Sequence, residues 1–370
     1  MKSTTRNIFF AFGLIAVIVM LFTFKVSFAQ LWADICHAGY WLIAILGLWI
    51  FLYIMNACTW RIIIRGSGDC PIPFWKILKL TITGFALNYA TPAGLMGGEP
   101  YKIMELKPYI GTQRATSSVL LFAMMHIFAH FWFWASSIAV YVVLASWGVL
   151  PMNVGMGIVL LFMLCFCGGG IYLFIRGYKN GMVVKLVAFL GKLPGLKRWS
   201  ARFLAKHSDS LARIDGQIAD MHRQDKLTFY GTLTVEFLAR FVQSLEILFM
   251  LLLFGVDNGG GVTGIAITYV HSIMIVAITT LLANIVGFLP MQIGVQEGGF
   301  VVSIALLGLE PALGIFVCII CRVREIFWII VGLALMKISD GNTKEPDLGP
   351  TDSDEPTDPT YQADSAKPKC

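Results

Sequence analysis

Two glutamates stand in apolar segments of the chain, each seven residues after a proline: Glu99 follows Pro92, and Glu297 follows Pro290. An ionised side chain at the centre of a membrane helix costs at least about 2.5–3.5 kcal/mol, so each carboxylate requires a polar cavity. In such a cavity a carboxylate can hold a cationic or zwitterionic head group, or act as a general base. These two glutamates are the first candidates for chemistry.

The residues around the two glutamates also recur. Glycines stand next to each glutamate, and an asparagine precedes each proline, Asn88 by four residues and Asn284 by six. Proline ends or kinks a helix because it lacks a backbone donor, and glycine lets the chain reverse. A single proline with a glutamate is typical of an ordinary helix kink. Two such segments in corresponding halves indicate the substrate site of a transporter built from internal repeats.

Further charged residues interrupt two other apolar segments. Glu236 and Arg240 are one helical turn apart and can pair on one face, which Gln243 and Glu246 continue. Arg322, Arg324 and Glu325 form a similar set. A structural ion pair, a binding site, and a pairing of Arg240 with Glu297 all remain open. The predicted substrate-binding residues are Asn88, Pro92, Gly97, Gly98, Glu99, Glu236, Arg240, Asn284, Pro290, Gly294, Glu297 and Arg322.

The elements that position these residues follow from composition. Hydrophobic residues make up 57% of the 370 residues and charged residues only 14%, which is typical of a polytopic membrane protein. No ten-residue alternating strands of a barrel are present, so we predict an all-α membrane bundle with two broken or re-entrant elements related as internal repeats. The predicted spans are 8–28, 39–58, 116–147, 155–175, 228–255, 262–289 and 313–338, and the broken segments are 74–105 and 284–309.

The distribution of lysine and arginine predicts the orientation and the domains. Residues 176–226 contain eleven Lys and Arg against four Asp, whereas the short connections near 29–38, 147–154 and 256–262 contain no Lys or Arg. The positive-inside rule therefore predicts an inner-membrane protein with cytoplasmic termini. The predicted domains are an N-terminal membrane half (1–176), a basic amphipathic linker (177–226), a C-terminal membrane half (227–338) and a disordered tail (339–370).

The same charge pattern predicts the partners. The net charge of +6 reflects topology and indicates no nucleic acid. The linker is expected to contact anionic lipids of the inner leaflet, or to be a solvated loop. A homodimer is left open.

Neither histidine nor cysteine predicts a metal or a cofactor. His126 and His130 are four residues apart, but their segment lacks a carboxylate, so packing or interfacial hydrogen bonding is the favoured interpretation. Cys318 and Cys321 have zinc-like spacing without a second pair. The sequence contains no phosphate loop, no dinucleotide fingerprint and no Ser-His-Asp signature.

The two broken segments also carry a family resemblance. "LNYATPAGLMGGEPYKIMELK" at 87–107 and "ANIVGFLPMQIGVQEGG" at 283–299 resemble the lysylphosphatidylglycerol synthase transmembrane region, or flippase-like, family. The resemblance implies that in bifunctional members such a domain moves aminoacylated phosphatidylglycerol to the outer leaflet. A separate soluble domain transfers the aminoacyl group from aminoacyl-tRNA to the lipid. Here only the linker and tail are expected outside the membrane, too little chain for that soluble domain.

These observations favour a lipid translocase that moves a phospholipid or lipid-linked intermediate between leaflets, without an enzymatic activity of its own. The alternative is a lipid-modifying membrane enzyme of the phosphatidylglycerol lysyltransferase type, with Glu99 or Glu297 as base. A third hypothesis is a scaffold that recruits a soluble partner through the basic linker. The substrate is not readable from the sequence.

Overall fold

The computed structural model describes residues 28–90, 97–179, 216, 226–285 and 294–338. These residues form a bundle of α-helices, as predicted. The helices are α1 (Phe28–Gly66), α2 (Phe74–Ala90), α3 (Gly98–Ser146), α4 (Val154–Lys179), α5 (Lys226–Leu253), α6 (Gly261–Ile285), α7 (Val295–Leu306) and α8 (Ala312–Lys337). Nearly all of the predicted span 8–28, most of the linker, the tail, Pro92 and Pro290 lie outside the described residues.

Four of these helices contain stretches long and apolar enough to cross a membrane: Ala38–Gly66, Gly98–Ser146, Val154–Tyr172 and Gly261–Ile285. The predicted spans 228–255 and 313–338 also form single helices, α5 and α8. Both carry several charged side chains that are buried inside the bundle, which lowers their hydropathy without placing charge against lipid. The chain is therefore a multi-pass membrane protein.

The predicted span 116–147 begins too late. It is the second part of α3, a helix of 49 residues whose backbone leaves helical geometry at Gly111 (φ 77°, ψ 160°). Pro108 precedes this point and lacks the N–H that would continue the helical hydrogen bonding. The apolar pattern alone did not indicate that a kinked helical segment joins Glu99 to the span.

The two predicted breaks coincide with helix ends. α2 ends at Ala90 and α3 begins at Gly98, while α6 ends at Ile285 and α7 begins at Val295. The residues in between, 91–96 and 286–293, lie outside the described residues. A relation of the two halves as repeats stays a prediction.

The packing places α8 between the two breaks. α8 packs against α2 and α7, and α7 also packs against α6. Small residues allow these close approaches: a Cβ on Gly332 of α8 would overlap Ala86 of α2. By contrast, α4 exposes Ile158, Leu161 and Phe162, as expected for a helix that faces lipid.

Candidate functional site

The three charged residues of α8 are all buried. Arg322 is 2% exposed, Arg324 4% and Glu325 2%. Arg322 donates through Nη1 to Glu325 Oε2 at 2.8 Å, one turn along the helix, and through Nη2 to Glu297 Oε1 of α7 at 2.9 Å. Buried charges are tolerated when they are paired and hydrogen-bonded, and Arg322 meets this requirement with two carboxylates.

Arg324 extends this pairing towards α5 and α1. Its Nε donates to Glu246 Oε1 at 2.9 Å, and its Nη2 lies 3.8 Å from Glu325 Oε1. The guanidinium carbon lies 3.9 Å from the ring centroid of Trp49, and the Trp49 indole donates to Glu246 Oε2 at 3.0 Å. Three carboxylates and two guanidiniums thus form one network across three helices, α5, α7 and α8, which we call the α8 network: Glu246, Glu297, Arg322, Arg324 and Glu325.

Glu297 has two roles in this arrangement. It stands in the first turn of α7, where its Oε2 accepts the backbone N–H of Gly294 at 2.6 Å. Gly294 has φ 85°, a conformation that favours glycine, and it caps the helix. A carboxylate in this position is favoured by the positive end of the helix dipole. The side chain remains 38% exposed, so its carboxylate is accessible.

The first break has a comparable arrangement around Glu99. Asn88, near the end of α2, donates through Nδ2 to Glu99 Oε1 at 3.0 Å and accepts the Gly98 N–H at 2.7 Å. Lys102 Nζ lies 3.9 Å from Glu99 Oε1 and above the ring of Trp60. Asn88 therefore connects the two helix ends across the break.

A third group of polar residues joins α3 to α5. Arg240 Nη2 lies 3.6 Å from Glu236 Oε2, which confirms that the two side chains meet on one face. His126 Nδ1 of α3 lies 2.9 Å from the same carboxylate oxygen. Arg240 also donates through Nη1 to Gln243 Oε1 at 2.9 Å. We call these residues, His126, Glu236 and Arg240, the α3–α5 cluster.

A cavity of about 80 Å³, with both polar and apolar walls, lies between the α8 network and the helix ends. This volume holds a small number of water molecules and is smaller than the ~300–1,000 Å³ typical of small-molecule sites. Gln296 Oε1 is buried and has no hydrogen-bond partner among the described residues. The cavity is lined by Tyr89, Gln243, Glu246, Ile247, Val276, Thr279, Thr280, Ala283, Gln296, Phe300, Cys321 and Arg324.

The cavity brings the two breaks together. Tyr89 follows Asn88 at the end of α2, and Gln296 precedes Glu297 at the start of α7, yet both side chains line the same space. Gln296 also donates to Glu325 at 3.2 Å. Each recurring segment therefore contributes one residue to the wall of the same cavity, Tyr89 from the first and Gln296 from the second. Residues 91–96 and 286–293 lie outside the described residues.

The predicted site residues fall into three contact groups. Glu297 meets Arg322, Glu99 meets Asn88 and Gly98, and Glu236 meets Arg240. Pairing of Arg240 with Glu297 is wrong, because each has another partner. Asn284 is exposed, and its amide donates to the Thr280 carbonyl of its own helix. Gly97 caps α3 and Gly294 caps α7.

Sequence reasoning missed the residues that approach from distant helices. The sequence favours packing or interfacial hydrogen bonding for His126 because its own segment lacks a carboxylate, and it does not indicate that Glu236 on α5 supplies one. Trp49 was indistinguishable from other lipid-facing or core aromatic residues. An intramembrane histidine was the available signal, since ionisable residues at this depth face the bundle interior. Within the described ranges, no three His, Cys, Asp or Glu side chains form a metal-ligand group.

Comparison with known proteins gives one family match. The family described as Lysylphosphatidylglycerol synthase TM region matches residues 8–333. Searches of curated proteins and of solved structures gave no significant match.

Proposed function

Because the chain belongs to the lysylphosphatidylglycerol synthase TM region family, which ties it to lipid biosynthesis or translocation, we propose that it is a lipid translocase. It moves a phospholipid or lipid-linked intermediate between the leaflets of the inner membrane. The polar head group passes through the interior of the bundle while the acyl chains stay in lipid.

The observation that carries this proposal is the position of the cavity. Its walls combine the end of α2, the start of α7 and the buried charges of α5 and α8. Ionisable side chains inside a membrane bundle are costly, and those that line a cavity mark the pathways of substrates and ions. Helix ends at such a space supply free backbone donors and acceptors, as in transporters with broken helices.

The chemistry of the walls suits a phospholipid head group. Arg324 lines the cavity, and Arg322 lies in the same network; a guanidinium binds a phosphate through two parallel hydrogen bonds. Glu246 lines the cavity, and the network as a whole contains one more carboxylate than guanidinium. A zwitterionic or cationic head group can therefore present its phosphate to the arginines and its cation to the carboxylates.

The size of the cavity requires movement during transport. At about 80 Å³ it is too small for a whole head group. Entry therefore requires the helix ends around Tyr89 and Gln296 to separate. Glu297 and Glu99 stand at these ends, so their bonds to Arg322 and Asn88 are the contacts that such a movement changes.

The test is leaflet exchange in reconstituted vesicles. The lipid that copurifies with the protein is identified by mass spectrometry, labelled, and followed in proteoliposomes. We expect Glu99→Gln and Glu297→Gln each to reduce exchange at least tenfold, because each loses the charge that holds its helix end. Glu310→Gln, an exposed residue outside the network, is the matched control and should exchange lipid at the wild-type rate.

Full exchange in both variants would refute the assigned roles of the two glutamates. Absence of exchange by the wild-type protein would refute the translocase itself. In that case, a new lipid species in cells that express the protein, missing from deleted cells, would support the lipid-modifying alternative.

The orientation and partners form part of the same proposal. The basic residues in 176–226 favour a cytoplasmic position for this segment, next to the anionic lipids of the inner leaflet. The segment lies mostly outside the described residues, so the proposal rests on its eleven Lys and Arg alone.

A further inference from the structure

The α3–α5 cluster is built differently from the α8 network. The Glu236 side chain is 0% exposed, whereas the side chain of His126, whose imidazole touches it, is 32% exposed. The imidazole is therefore the less buried of the two groups and contacts the carboxylate from the outer side of the cluster. In the α8 network, by comparison, the buried carboxylates are held by arginine, whose charge does not change at physiological pH.

The cluster lies far from either end of α5. This helix has 28 residues, or about 42 Å at 1.5 Å per residue. Glu236 is ten residues from its first residue, or about 15 Å along the helix axis. Buried ionisable side chains inside membrane bundles mark ion pathways and proton relays, and histidine is the side chain that changes charge nearest to neutral pH.

The charged and titratable neighbours of the cluster come from several helices. α3 contributes Lys102, which is paired with Glu99, and His130, whose ring centroid is 5.1 Å from that of His126. α1 contributes the hydroxyl of Thr59 near Glu236, and α2 contributes Tyr89 near Arg240. On α5, the next carboxylate is Glu246, which forms an ion pair with Arg324 of α8.

The net charge of the cluster depends on one proton. The charges of Glu236 and Arg240 cancel while His126 is neutral, and one added proton gives the cluster a net charge of +1.

Arg240 connects the cluster to the cavity. Its Nη1 donates to Gln243 Oε1, and Gln243 lines the cavity. Its Nε–H is buried and has no acceptor among the described residues, although the side chain is only 8% exposed. The guanidinium therefore has a buried donor left over for a ligand.

We propose that the α3–α5 cluster binds a proton that is coupled to lipid movement, with Arg240 as the residue that changes partner. This inference rests on the proposed translocase function. A proton that binds His126 passes to Glu236 Oε2: the N–H bond breaks, an O–H bond forms and the carboxylate is neutralised. Arg240 then lacks its counter-ion and pairs with the phosphate of a head group in the cavity.

The cycle closes when the head group leaves. Glu236 returns the proton through His126, and the ion pair between Glu236 and Arg240 forms again. The only covalent bonds that form or break are those to the transferred proton. The second species bound by this protein is thus a proton, and its site is separate from the residues that bind the head group, except for Arg240.

The test uses the full-length protein in vesicles of phosphatidylethanolamine and phosphatidylglycerol. The probe is fluorescent phosphatidylethanolamine, whose head group carries both a phosphate and a cation; its leaflet exchange is followed by chemical quenching while the pH on one side is varied. Exchange by the wild-type protein should change with pH, by at most about tenfold per pH unit for a single proton. His126→Asn and Glu236→Gln should remove this dependence, and Glu236→Gln imitates the protonated carboxyl.

The matched control is His271→Asn, which replaces a buried histidine of α6 outside the cluster and should keep the wild-type pH dependence. Exchange by the wild-type protein that does not respond to pH would overturn the coupling and leave the translocase intact. Unchanged pH dependence in both cluster variants would also overturn it. No exchange of the probe by the wild-type protein at any pH would contradict the translocase as well.

Discussion

At the scale of single residues, the shared use of Glu325 explains how two arginines can be buried in one helix. Glu325 accepts from Arg322 through Oε2 and lies 3.8 Å from Arg324 through Oε1. Each arginine has a second carboxylate from another helix, Glu297 or Glu246. Because both guanidiniums depend on carboxylates from other helices, loss of one partner leaves a buried charge without compensation.

This dependence predicts a non-additive pair of substitutions. Arg324→Met alone should destabilise the protein by about 3–5 kcal/mol, because Glu246 keeps its charge with only the Trp49 indole as a strong donor. Arg324→Met with Glu246→Gln should cost less than the sum of the two single changes, since no buried charge is left unpaired. Thermal unfolding in detergent measures both effects, and Arg65→Met, at an exposed site, is the control. Simple additivity would show that the two residues do not act as a pair.

At the scale of elements, the glycines beside the two glutamates are not equivalent. A Cβ on Gly98 would overlap the carbonyl oxygen of Gly84, so this glycine allows α3 to begin directly against α2. A Cβ on Gly298 would meet nothing within 4 Å. Both glycines are next to a recurring glutamate in the sequence, but of these two only Gly98 lies at a helix contact.

This difference predicts opposite results for the same substitution. Gly98→Ala should destabilise the protein by about 1–3 kcal/mol, because the added methyl pushes α2 and α3 apart. Gly298→Ala should be neutral or stabilise by up to about 1 kcal/mol, because alanine favours the helix and the space is open. Thermal unfolding of the two variants in the same detergent compares them. Equal effects would indicate that the contact of Gly98 with Gly84 contributes nothing to stability.

The sequence predicts helices better than it predicts their partners. The lengths of the apolar segments predicted the ends of α5, α6 and α8 to within a few residues, because a lipid bilayer requires a minimum number of apolar residues in a spanning helix. Helical spacing indicated the pairing of Glu236 with Arg240, which are neighbours on one helix. The contacts of His126 with Glu236 and of Arg324 with Glu246 join residues far apart in the chain, and no local pattern specifies them.

At the scale of the whole molecule, the charge distribution gives a testable topology. Seven positive charges remain in 176–226 after its four Asp are subtracted from its eleven Lys and Arg. If this segment is cytoplasmic, a protease should cut it in inverted membrane vesicles and leave it intact in sealed spheroplasts. A cysteine introduced at Asn153, in the connection before α4, should show the opposite accessibility to a membrane-impermeant reagent. Cleavage of the segment from the outside would reverse the assigned orientation.

Glu297 makes two contacts that link the first turn of α7 to the charge of Arg322. Its one carboxylate closes the first turn of α7 through Gly294 and also neutralises Arg322. If α7 unwinds at this end, both bonds are lost together, and Arg322 keeps Glu325 as its carboxylate partner. A lipid phosphate can then replace Glu297 as the second anion, so the same event that opens the turn also favours the binding of a phosphate.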